Sequence, residues 1–119
     1  MQNRMSLKIQ ERRLDQRIEA TIDINYRIAK NIFSITTSSK DISLGGISFF
    51  AQHRVNKGVL LELSMSFSGG LNCLEMPVSV IWRSDSNNIR FPFVVGVKFN
   101  NLKNSQQSII NNYIRQHPN

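Results

Sequence analysis

Apolar and polar side chains alternate along most of this chain. Ile18, Ala20, Ile22 and Ile24 are separated by Glu19, Thr21, Asp23 and Asn25. Such alternation marks a strand with one buried face and predicts a first strand over 18–25. Asn31 to Thr37, rich in Ile, Phe and Thr, reads as a second strand, ended by Ser38-Ser39-Lys40. Gly46 to Ala51 reads as a third, with Ile47 and Phe49 on one face. After a loop from His53 to Gly58, Val59, Leu61, Leu63, Met65 and Phe67 alternate in a fourth. Ser68-Gly69-Gly70 predicts a tight hairpin into a fifth, along which Leu74, Met76, Val78, Val80 and Trp82 alternate. Pro77 has no N–H to give to a ladder, so it predicts an edge or bulge position. Ser84 to Asn88 is polar and turn-prone, and Phe93, Val95, Val97 and Phe99 alternate in a sixth strand.

Only the C-terminal segment changes period. Ile109, Ile110, Tyr113 and Ile114 make one apolar stripe of a helix, the face expected to pack on the strands. Asn104 is its candidate cap, with Gln107 as an imperfect capping-box partner. His117-Pro118 ends it. Residues 1–11 carry no periodicity and read as a flexible N-terminal arm, leaving 12–119 as a single domain. The expected fold is mainly β: a six-stranded antiparallel barrel with one C-terminal α-helix.

Composition narrows the partners. The chain has 119 residues, a formal charge of +7 and a pI near 10.2. That balance favours anionic partners such as a nucleotide, a nucleic acid or an acidic surface. Cys73 is the only cysteine, which excludes an intrachain disulfide and a cysteine metal site and favours a reducing compartment. The N-terminus lacks the apolar run of a signal peptide. The longest charge-free stretch, Leu63 to Leu74, is too short and too polar to span a bilayer. The expectation is a cytoplasmic protein without a membrane span.

Two motifs carry the chemistry. Arg13-Leu14-Asp15-Gln16-Arg17 places two arginines four apart, with Arg12 just before them. Asp41-Ile42-Ser43-Leu44-Gly45-Gly46 follows the order acid, any, Ser, any, any, Gly. Either motif alone arises easily by chance; their order, one strand apart, is the informative feature. A guanidinium is planar and matches guanine O6 and N7 with two parallel hydrogen bonds. It also pairs bidentately with phosphate and stacks on a purine. An ionised Asp only accepts, so it suits the N–H edge of guanine. Ser donates to phosphate or guides a turn, and Gly permits close backbone approach or positive φ. Together the motifs look like two halves of a site for a guanine-containing, doubly phosphorylated ligand.

The motif pair resembles the signature of PilZ domains, bacterial receptors for the second messenger cyclic di-GMP. The resemblance spans residues 9 to 116 and includes the softer Val80-Ile81-Trp82-Arg83 and Gly96-Val97-Lys98-Phe99 segments. It implies a stand-alone receptor with no catalytic activity and no cofactor, whose ligand is cyclic di-GMP. By the same resemblance Arg13 and Arg17 clasp guanine edges and phosphates, while Asp41, Ser43, Gly45 and Gly46 line the other side. The arm before the first strand would fold over the ligand and pass the signal to a separate protein effector. Arg12 resembles the arrangement in which two ligands bind as a stacked pair.

Other readings weigh less. A basic barrel binding single-stranded nucleic acid should interleave exposed aromatics with cations, whereas most aromatics here fall on alternating positions that predict burial. No DNA or RNA partner is therefore expected. A calcium loop needs Glu where Gln52 stands, and a nucleophile elbow needs Gly where Asp41 stands. His53 and His117 lack metal-ligand spacing and read as surface residues. Trp82 ends an alternating run and reads as core or a partly exposed barrel rim rather than a stacking platform.

Overall fold

The computed structural model describes residues 16–28, 31–67 and 73–117. The strands are β1 (Ile18–Glu19), β2 (Asp23–Ile28), β3 (Ile35–Ile42), β4 (Gly46–Ala51), β5 (Leu60–Ser66), β6 (Cys73–Asp85) and β7 (Phe93–Phe99), followed by helix α1 (Asn104–Gln116). All pairings are antiparallel. The order β3-β2-β5-β6-β7-β4 returns from β4 to β3 and closes a six-stranded barrel. Closure removes the open edges that would otherwise template association. β1 is additional and pairs with β3 beyond the end of β2. The expected barrel and single C-terminal helix are both present.

The barrel interior holds the alternating apolar set. Ile24 and Tyr26, Ile47 and Phe49, Leu61 to Met65 at every second position, Val78, Val80, Val95 and Val97 are all buried. The Tyr26 and Phe49 rings pack with centroids 4.9 Å apart. Burial holds the Tyr26 phenol above its usual pKa, partly offset by the Gln52 N–H that it accepts at 3.3 Å. Helix α1 seals one end by burying Ile110 and Ile114, with Tyr113 against Phe67 at 5.1 Å. Its start lies one residue earlier than the sequence suggests. Lys103 is the N-cap, and its N–H donates to Gln106 Oε1 at 3.0 Å, so Gln106 rather than Gln107 is the box partner.

The first two strands depart from the simple pattern. One strand is predicted over 18–25, but Glu19 faces Asp41 while Asp23 faces Ser38. Three residues, Ala20 to Ile22, therefore oppose only Ser39 and Lys40. The buried Ser39 hydroxyl absorbs the mismatch by donating to the Ala20 carbonyl and accepting the Ile22 N–H at 2.8 Å. For the same reason Ser38-Ser39-Lys40 does not end a strand. β3 runs through it to Ile42, which puts Asp41 inside the ladder rather than in a turn.

Pro77 lies in β6 between β5 and β7, so the sheet as a whole does not make it an edge residue. Its backbone, however, faces the end of β7, where Asn100 N–H reaches the Pro77 carbonyl at 3.3 Å. Its missing donor thus falls where the ladder is already over. The predicted arm at 1–11, Arg12, Arg13 and the Ser68-Gly69-Gly70 hairpin lie outside the described residues.

Candidate functional site on the outer barrel wall

The antiparallel register builds the site. Ile18 faces Ile42 and Glu19 faces Asp41, so the residue before β1, Arg17, comes alongside Ser43. Its Nε donates to Asp41 Oδ1 at 3.0 Å, and Nη2 lies 2.8 Å from the same oxygen. Nη1 donates to Ser43 Oγ at 3.2 Å. The two motifs, distant in sequence, thus meet through their side chains. Arg12 and Arg13 lie beyond the described residues.

A third strand completes the cluster. Ser48 of β4 faces Asp41 across the ladder and donates its hydroxyl to Asp41 Oδ1 at 2.8 Å. Among the described residues every bond to this carboxylate goes to Oδ1, which leaves Oδ2 available to another donor. The Arg17 and Asp41 side chains are 41% and 27% exposed, so both can reach a ligand. Ion pairing at that exposure adds little to folding. Its effect is to fix the carboxylate and the guanidinium in one orientation.

The Ser43-to-Gly46 hairpin holds the other side. Ser43 N–H donates to the Gly46 carbonyl at 2.8 Å, and Phe99 N–H donates to the Gly45 carbonyl at 3.0 Å. Gly46 is required by close approach and not by positive φ. A Cβ there would stand 2.2 Å from the Val97 carbonyl oxygen. Gly45 faces open space, so its contribution is through its backbone.

The cross-strand row continues from Ser48 to Gly96 and on to Trp82. The Trp82 indole lies over Gly96, where a Cβ would meet its ring at 2.1 Å. Trp82 is partly exposed, as the rim reading expects, but it sits on the wall beside the motifs. Phe50 pairs with Val94 in the next row. Val94 is buried yet lies outside the barrel core, so this outer wall has an apolar floor of its own. Sequence reasoning missed Ser48, Phe50 and Val94. The alternation along β4 and β7 held a signal, because positions opposite the core set must face outward. A shallow depression of about 500 Å³, lined by Lys40, Asp41 and Phe50 among others, lies next to the cluster.

Fold and site define a small closed barrel with a charged cluster on its outer wall, fixed by a strand preceding the ring. The chain belongs to the PilZ domain family, whose model matches residues 11–116. A search of curated proteins found no match. Among solved structures, YcgR from Escherichia coli in complex with c-di-GMP aligns with a TM-score of 0.70 at 15% identity, over 85% of this chain and 43% of YcgR. The Bacillus subtilis inhibitor of motility, MotI, aligns with a TM-score of 0.69 at 20% identity, over 84% of this chain and 48% of MotI. The PilZ domain of CeSA from a cellulose-synthesizing bacterium aligns at 0.58 and 20% identity, over 86% and 94% of the two chains. This chain thus spans about half the length of the MotI and YcgR chains. Among the described residues, no helix is long and apolar enough to cross a membrane.

Proposed function

We propose that this chain is a non-catalytic, cytoplasmic receptor for cyclic di-GMP. The carrying observation is the contact of Arg17 with Asp41 and Ser43, which leaves Asp41 Oδ2 and part of the guanidinium for a ligand. The free carboxylate oxygen suits the N–H donors of guanine, and the remaining guanidinium N–H groups suit its O6 and N7 or a phosphate. The floor around Trp82, Phe50 and Val94 offers a flat apolar surface for a base. That the YcgR structure contains c-di-GMP on the same fold supports the choice of ligand. Arg13 supplies the second guanidinium, and the N-terminal segment orders over the ligand once its charge is neutralised. The ordered segment is then read by a separate protein effector.

Arg12 extends the reading to stoichiometry. Two stacked ligands bring four phosphates together, and a third guanidinium offsets their repulsion or covers an exposed guanine. Two ligands per chain are expected, and Arg12→Leu shifts the endpoint towards one without abolishing binding. Calorimetric titration with cyclic di-GMP tests both statements, with cyclic di-AMP, GTP and a short oligonucleotide as controls. Micromolar or tighter binding of cyclic di-GMP alone is expected. Equal affinity for cyclic di-AMP would mean that charge and not base identity is read, and absence of heat would remove the receptor assignment.

A further inference from the structure

Even-numbered strands run towards one end of the barrel, so the β2–β3, β4–β5 and β6–β7 connections all emerge there, opposite α1. That end is unusual in two respects. Large apolar side chains stand in water on its loops: Ile32 is 83% exposed, Phe33 75% and Ile89 96%. Ile28 and Leu60 are half exposed beside them. Single exposed apolar residues are ordinary, but several on the loops of one end are not.

The second respect is charge. Arg27, Arg54, Lys57, Arg83 and Arg90 lie on the same loops and strand ends. The one ion pair among the described residues is Arg17–Asp41 at the other end; Glu62 faces Arg27 across the β2–β5 ladder and Asp85 faces Phe93, yet no described carboxylate comes within 4 Å of any of these cations. The Arg54 and Arg83 guanidiniums both sit against the Phe93 ring, at 5.9 and 6.0 Å from its centroid. Arg83 is held there by a 3.1 Å bond to Asn56 Oδ1. Two like charges gathered on one ring repel, and an anion beside them relieves the repulsion.

We propose that this loop end docks on an anionic phospholipid bilayer. Ile32, Phe33 and Ile89 enter the headgroup boundary, and Arg27, Arg54, Arg83 and Arg90 meet the lipid phosphates. Exposed apolar side chains ringed by cations are the composition that binds membrane interfaces. The apolar groups belong to two separate loops and protrude. A fluid interface accepts separated protrusions, whereas a protein partner needs a continuous matched surface. The Arg17–Asp41 cluster lies towards α1 and its apolar floor ends on the outer wall at Phe50 and Val94, short of the loops, so both surfaces can be occupied together. A membrane-docked receptor would then present its ligand-ordered arm to effectors at the bilayer.

Sedimentation of the full chain with vesicles tests this. Binding is expected with vesicles containing phosphatidylglycerol, not with pure phosphatidylcholine, and weakens as salt rises. Phe33→Ser with Ile89→Ser should lower partitioning about tenfold, from the apolar burial lost. Arg54→Gln with Arg83→Gln should lower it on anionic vesicles only. Both pairs are on the surface, so the urea midpoint should stay put. Equal behaviour with neutral and anionic vesicles would overturn the proposal. So would undiminished binding by the Phe33/Ile89 variant, which would reduce the effect to charge adsorption. An apolar hollow of about 350 Å³ beside Phe33, lined also by Tyr26, Ile35 and Val55, could take a protein side chain instead. Retention by an immobilised polyglutamate-leucine peptide without vesicle binding would assign the surface to an acidic protein.

Discussion

Strand β4 carries two different jobs on its two faces. Ile47, Phe49 and Ala51 point into the barrel and are fully buried. Ser48 and Phe50 point outward, and Ser48 is as deeply buried as Phe49, although it faces the wall. The inward face works by volume: an apolar residue of similar size and shape serves nearly as well. The outward face works by donor and acceptor identity, since Ser48 orients Asp41 and Asp41 orients Arg17. A change on the first face should therefore appear in stability, and a change on the second in ligand affinity.

The largest effect expected is Phe49→Ala. It deletes a ring packed on Tyr26 and should cost about 3–5 kcal/mol of stability, measured by urea unfolding. Cyclic di-GMP affinity of the remaining folded fraction should be unchanged; a specific loss of affinity would mean the two faces are coupled. Arg17→Ala should do the reverse. Loss of a charge-assisted contact should weaken ligand binding by about 1.5–3 kcal/mol, while its exposed ion pair contributes under about 1 kcal/mol to folding. A strongly lowered melting temperature with intact affinity would make Arg17 a structural residue.

Gly46→Val tests the point where the faces meet. The added side chain collides with the Val97 carbonyl, so stability should fall by about 1–3 kcal/mol and binding should fall with it. Unchanged stability would show that β4 and β7 can separate there at little cost. The smallest effect concerns the interior alone. Thr37 Oγ1 is buried with no hydrogen-bond partner among the described residues. Thr37→Val keeps the shape and removes that desolvation cost, so it should stabilise the fold by about 1 kcal/mol and leave affinity untouched. Destabilisation would mean that the hydroxyl has a partner, such as an ordered water.

Much of this was legible along the chain. Alternation located β4, β5, β7 and the helix stripe within a residue or two, because one-sided burial imposes its period on the sequence. The motif residues Arg17, Asp41 and Ser43 were also legible, through their chemistry. The break between β1 and β2 was not. It depends on Ser39, whose hydroxyl serves as a substitute for ladder bonds; a serine that does so looks the same in sequence as a serine in a loop. Lys103 was passed over as a cap for a related reason, since its backbone and not its side chain meets Gln106.

The barrel class, the inward set and the two charged motifs could be read along the chain, because they follow from local period and side-chain chemistry. Which of them meet depends on strand register. Arg17 reaches Asp41 because the β1–β3 register places it beside Ser43, and Ser48 joins them from across β4. Trp82 covers Gly96 because β6 slips one residue past β7 beyond Val80. Register and bulges are set by the sum of packing around a closed ring, and no single segment contains that sum.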